Sequence, residues 1–127
     1  MTVGLAASRA NTLLDSLASA LQFIQLHTGD PGAAGTANIA GNDTRKAVTW
    51  ASAGTTADGQ IEISVQIEWS DAEVDTTETY THVSFWSLVT GGDFEMSGTV
   101  TANEIDATGE AARLLANVYT VTLPVAA

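Results

Sequence analysis

From Gln60 to Trp69 the chain alternates without a fault: Ile61, Ile63, Val65, Ile67 and Trp69 take every second position, and Gln60, Glu62, Ser64, Gln66 and Glu68 stand between them. An α-helix, with its period of about 3.6 residues, would scatter those apolar residues around its axis. A strand places all of them on one face. Gln60 to Ser70 is therefore read as a half-buried antiparallel strand with one apolar and one wet side. Such a strand needs neighbours at its edges and an apolar layer against its face.

The rest of the chain supplies them. Phe23 to Thr28, Arg45 to Trp50, Tyr80 to Val89, Asp93 to Thr101 and Arg113 to Leu123 are rich in β-branched, aromatic or alternating residues and read as further strands. Gly91-Gly92 joins two of them as a hairpin, and Pro124 stops the last. The segments Ala53 to Gly59, Asp71 to Thr79 and Ala102 to Gly109 read as connections. Gly29-Asp30-Pro31-Gly32 turns the chain sharply, and a Gly/Ala/Asn/Thr-rich loop runs on to about Thr44. Loops of that length are usually functional or tied down by a partner. At the start, Leu5, Leu13, Leu14, Leu17 and Leu21 recur at helical spacing, with Asn11, Asp15 and Ser16 on the more polar side. That stripe either caps the domain's own core or packs on a neighbouring subunit. The expected fold is mainly β, an antiparallel β-sandwich of about six strands with one N-terminal α-helix. It forms a single domain over residues 1–127, with 1–21 as a helical arm and 22–127 as the sandwich.

Composition removes several functions. With 127 residues and 45% of them apolar, the chain is globular and long enough to bury a core. It has no cysteine, so neither disulfides nor thiolate metal sites are available. Four Lys and Arg against fifteen Asp and Glu, a net charge of −11, argue against nucleic acid and against an anionic membrane. The acidity either complements a basic partner surface or serves solubility. No apolar run is long enough to span a membrane, and Met1 to Ala20 does not read as a signal peptide, because it lacks a basic start and Arg9 interrupts it.

No catalytic motif is present: no G-x-S-x-G, no Walker loop and no G-x-G-x-x-G. His27 and His82 lie in expected strands and fall short of a metal ligand set, even if Asp30 or Asp93 joins them. Asp71, Glu73, Asp75 and Glu78 alternate as calcium ligands do, yet Thr76 and His82 stand where an EF-hand loop needs its glycine and its last glutamate. Trp50, Trp69 and Trp86 are candidates for a sugar-stacking platform, but tryptophans in alternating strands more often belong to a core or a subunit interface. No catalytic residue, metal or cofactor is expected.

Leu26-His27-Thr28-Gly29-Asp30-Pro31-Gly32-Ala33-Ala34-Gly35-Thr36-Ala37-Asn38, preceded by a short Leu/Ala helix, resembles a family of small phage proteins. These are common in actinobacterial phages and prophages and are usually labelled tail-fibre-like or minor structural proteins. Arg45 to Trp50 resembles the family's R-x-A-V-T-W strand, Thr81 to Trp86 its T-H-V-G-L-W, Thr90 to Phe94 its T-G-G-T-F, and Tyr119 to Leu123 its closing T-V-T-L strand. The chain departs from the pattern at Ser84-Phe85, where Gly-Leu is typical, and in the acidic stretch Asp71 to Thr79. The resemblance implies a non-enzymatic virion component.

Three functions follow for comparison. The first, favoured here because the sequence shows no repeat or heptad shaft, is a capsid decoration or cement subunit on the particle exterior, expected as a homotrimer. It would contact itself and other virion proteins such as the major capsid or tail proteins, with no nucleic acid, membrane or small-molecule substrate. The second is a minor tail or tail-fibre component that contacts the host. The third is a free carbohydrate-binding or Ca²⁺-dependent adhesin. The residues expected at the assembly interface are Leu13, Leu14, Leu17, Leu21, Asp30 and Pro31.

Overall fold

The computed structural model describes residues 3–41, 43–69, 79–100, 105–107, 112–114, 116–117 and 119–126. Among them one helix, α1 (Ala7–Ala20), precedes nine short strands: β1 (Phe23–His27), β2 (Lys46–Ala47), β3 (Gln60–Glu62), β4 (Ile67–Trp69), β5 (His82–Trp86), β6 (Phe94–Thr99), β7 (Ile105–Ala107), β8 (Ala112–Leu114) and β9 (Thr120–Thr122). They form three antiparallel sheets, in the orders β2-β1-β5-β6, β3-β9 and β4-β8-β7. The fold is mainly β with an N-terminal helix, as the alternation and the Leu stripe predict.

One apolar cluster is common to the three sheets. In the four-stranded sheet the cross-strand pairs Ile24–Phe85 and Leu26–Val83 face it. Ile63, Ile67, Trp69, Leu114 and Tyr119 approach from the other sheets. Trp50, Phe85 and Tyr119 meet there as tilted rings, with centroids 5.6 to 6.4 Å apart, a favourable aromatic geometry.

The long alternating segment is not one strand. Gln60–Glu62 pairs with Thr120–Thr122, then Ile67–Trp69 pairs with Ala112–Leu114. Four residues, 63–66, separate the two pairings on one side and five, 115–119, on the other, so the register slips by one. Asn117 takes a left-handed conformation at φ 64° within the longer side. An extra residue opposite a shorter partner is how a β-bulge turns a ribbon. Val65 falls at the break and is 54% exposed, whereas Ile61, Ile63, Ile67 and Trp69 are buried. The same break divides the expected Arg113 to Leu123 strand. The supposed connection Ala102 to Gly109 contains β7, paired with β8.

The helix owes little to its own sequence. It has no side-chain cap at Ala6 and no acidic residue in its first turn, and a helix of this length depends on packing. Ala10 and Leu14 are fully buried. The polar side is tied down too: Asn11 Oδ1 accepts the Gly59 N–H at 2.8 Å, Asn11 Nδ2 donates to Asp58 at 3.1 Å, and Asp15 accepts the Ala53 N–H at 2.7 Å. Of the two roles open to the Leu stripe, capping the chain's own core is the one these contacts show. Trp50 Nε1 donates to the Leu21 carbonyl at 2.9 Å and so pairs one of the carbonyls at the helix end.

Candidate functional site

The two central strands of the four-stranded sheet, β1 and β5, are buried on both faces. Phe23, Gln25 and His27 of β1 stand opposite Trp86, Ser84 and His82 of β5, on the side away from the core. Alternation reads such positions as wet, yet Gln25 is 3% exposed and His27 and Ser84 are 0% exposed. The cover is the loop that follows β1. Thr28 N–H donates to the Asn38 carbonyl at 2.9 Å and Ala40 N–H to the Leu26 carbonyl at 3.1 Å, closing the loop base. Asp30 Oδ1 accepts the Gly32 N–H, and Asn38 Nδ2 donates to the Asp30 carbonyl, both at 2.9 Å. Gly35 lies against Phe94, where a Cβ would come within 2.4 Å of the ring.

Beneath the loop runs a directed chain of hydrogen bonds. Trp86 Nε1 donates to Ser84 Oγ at 2.8 Å, Ser84 Oγ and His27 Nε2 are 2.7 Å apart, and His27 Nδ1 and the Ala37 carbonyl are 2.8 Å apart. A carbonyl can only accept, so His27 Nδ1 carries the proton, and the Ser84 hydroxyl donates to Nε2. The neutral imidazole thus satisfies every member. Burial holds the His27 pKa below its ordinary 6.5; the carbonyls of Ala37 and Asn38 pull the other way, and His82 adds to the lowering. A serine and a histidine at this distance resemble a nucleophile and its base. Here the serine is sealed from solvent and a backbone carbonyl stands where a triad has its acid, so the pair fastens the loop to the sheet.

Where the loop leaves the sheet, a cleft of about 390 Å³ opens between it and the β5–β6 turn, lined by Gln25, Thr36, Ile39, Asp43, Thr44, Arg45, Trp86, Val89, Thr90 and Gly91. Arg45 bridges its two walls. The guanidinium lies 3.9 Å over the Trp86 ring, and Nη1 donates to the carbonyls of Leu88 at 2.9 Å and Gly91 at 2.6 Å. Burial lowers the Arg45 pKa and Asp43 opposes that shift; an arginine remains charged regardless. Gln25 Nε2 donates to the Asp43 carbonyl at 3.0 Å, while Gln25 Oε1 is buried with no partner among the described residues.

The residues expected to dock part company. Leu14, Leu21 and Pro31 are buried in the chain itself, Leu17 packs against the core, and Leu13 (46% exposed) and Asp30 remain at the surface. The tryptophans form no platform: each ring N–H is paired, Trp50 with the Leu21 carbonyl, Trp69 with the Thr44 carbonyl at 3.0 Å and Trp86 with Ser84. His27 and His82 do become cross-strand neighbours, but both His27 nitrogens are occupied, and no three His, Asp or Glu side chains gather among the described residues. The acidic residues Asp71, Glu73, Asp75 and Glu78 lie outside the described residues. The sequence reading missed the His27–Ser84–Trp86 chain and the Arg45 bridge. The available signal was Ser84 itself, a hydroxyl at a position where the resembled pattern has glycine.

A family model described as Podophage GP4 fiber I protein gp80 matches residues 6–122. No curated protein matches the chain.

Proposed function

Because this chain belongs to the podophage GP4 fiber I protein gp80 family, we propose that it is a tail-fibre component exposed on the outside of a phage particle. That it is a phage structural protein of a fibre family carries the reading, and the match runs through the helix, all three sheets and the loop that roofs β1 and β5. The segment Leu26 to Asn38 supports the narrower placement in a phage of an actinobacterial host. The mechanism is mechanical. A domain whose central strands β1 and β5 are covered on both faces presents its remaining surface to neighbouring virion proteins, and that binding stabilises the assembled state by mass action.

Assembly, in this reading, makes a homotrimer and uses the exposed members of the expected set, Leu13 on α1 and Asp30 at the loop turn. Leu14, Leu21 and Pro31 support them from within. Light scattering of the purified chain tests the trimer, and loading of Leu13→Asp and Asp30→Ala variants onto particles tests the surface. Folded variants that load normally would remove that assignment. Capsid decoration is the competing placement, and the position of the labelled chain on purified particles separates the two.

A further inference from the structure

We propose that the groove between β6 and β9 receives an extended peptide segment of another protein, which adds a strand between the two. Both are sheet edges among the described residues: β6 ends the order β2-β1-β5-β6, and β9 pairs only with β3. In an antiparallel ladder alternate residues bond to the neighbouring strand, and those between them turn their backbone groups the other way. On β6 the Val100 N–H donates to the Thr81 carbonyl at 2.9 Å, in register with the β5–β6 pairs. Gly98 and Val100 therefore face β5, and the backbone N–H and C=O of Ser97 and Thr99 face away from it. On β9 the Ile63 N–H donates to the Tyr119 carbonyl at 3.1 Å and the Leu123 N–H to the Gly59 carbonyl at 2.8 Å. The backbone groups of Thr120 and Thr122 thus turn away from β3. Ser97, Thr99, Thr120 and Thr122 all line one groove of about 450 Å³.

Paired strands lie about 4.8 Å apart. The Tyr119 side chain holds β9 farther from β6 than that, because its hydroxyl lies against Gly98, where a Cβ would stand. Met96 and Val121, both packed on the core, give the groove apolar surface. An inserted strand would lay alternate side chains over them and turn the others outward beside the exposed hydroxyl residues. β6 is the longest described strand, and it carries neither Lys nor Pro to discourage such pairing. Filling the groove requires an occupant with both of its own edges free. Every described strand of this chain already pairs along at least one edge, so a folded second copy cannot offer one of them. The occupant is an unpaired segment, a tail or linker, of a different protein. The charged residues of β3 and β6, Glu62 and Glu95, are both acidic, and the chain carries −11, so a segment with basic flanks fits best. The source of the segment rests on the reading of the chain as a component that binds other virion proteins; the groove stands on its own geometry.

The experiment is hydrogen exchange by NMR on the full chain, alone and with synthetic peptides. In the free chain the amides of Ser97, Thr99, Thr120 and Thr122 should exchange fast, and those of Gly98 and Val121 slowly. The end-capped peptide KVTVTVK should bind saturably in the millimolar range or tighter and slow the four fast amides. Two counterparts, EVTVTVE and KVTVTVK N-methylated at alternate residues, should bind about tenfold more weakly or less. Ser97→Pro and Thr122→Pro each remove an outward N–H and leave the existing ladder bonds in place. With folding checked by circular dichroism, each should weaken binding by about tenfold as well. Val65→Ala, outside the groove, should leave it unchanged. Slow exchange of the four amides in the free chain, self-association that protects them, no saturable binding of KVTVTVK, or equal binding of either counterpart would each overturn the proposal. None of those results bears on membership of the fibre family.

Discussion

The imidazole of His27 and the hydroxyl of Ser84 lie 2.7 Å apart on adjacent strands, both sealed from solvent, and together they fasten a long loop to the back of the main sheet. Replacing Ser84 by alanine leaves the Trp86 N–H and His27 Nε2 without partners. Each buried unpaired group costs about 1–3 kcal/mol, so Ser84→Ala should lower unfolding stability by about 2–4 kcal/mol in urea titration. A loss below half a kcal/mol would show that the loop is held by other means.

The same histidine sets a pH dependence. Its folded pKa is lowered below 6.5, so the unfolded chain takes up the proton first as pH falls. The contribution of neutral His27 is fully present above that value and is lost as pH drops through the lower folded pKa. Thermal melts of wild type and His27→Gln between about pH 7.5 and 4.5 should show the wild type losing more stability than the variant on acidification. Equal slopes would contradict a buried neutral imidazole.

Two glycines separate backbone strain from close approach. Gly35 (φ 73°) leaves no room for a Cβ beside the Phe94 ring, whereas Gly91 (φ 66°) faces open space. Gly91→Ala should cost only the left-handed penalty of about 1–2 kcal/mol. Gly35→Ala should add an overpacking term, for a total of about 2–5 kcal/mol. Equal costs in chemical denaturation would mean that the loop does not press on β6.

The fold class could be read from the sequence because alternation and the Leu stripe are local signals. The break at Val65 could not. It arises from a one-residue slip between two strands far apart in sequence, and each strand alone looks continuous. His27 and Ser84 were visible as polar strand residues, but strand periodicity names two faces without saying what covers either. The loop that covers this one is rich in Gly, Ala, Asn and Thr and carries no apolar pattern to reveal its docking. The cleft depends on Arg45 reaching the turn at Gly91, a contact that no spacing rule encodes.

Adjacent leucines on α1 should behave oppositely. Leu14→Ala opens a cavity in a fully buried site and should cost about 2–5 kcal/mol. Leu13→Ala should change stability by no more than about 0.5 kcal/mol, as exposed sites usually do. Comparable losses in the two variants would contradict a helix that caps its own core with Leu14 and leaves Leu13 at the surface.

Placement on the virion is tested most directly by counting a labelled chain on purified particles by electron microscopy. The fibre reading predicts a few copies, in multiples of three, confined to the tail. Hundreds of copies spread over the head would contradict it and establish capsid decoration.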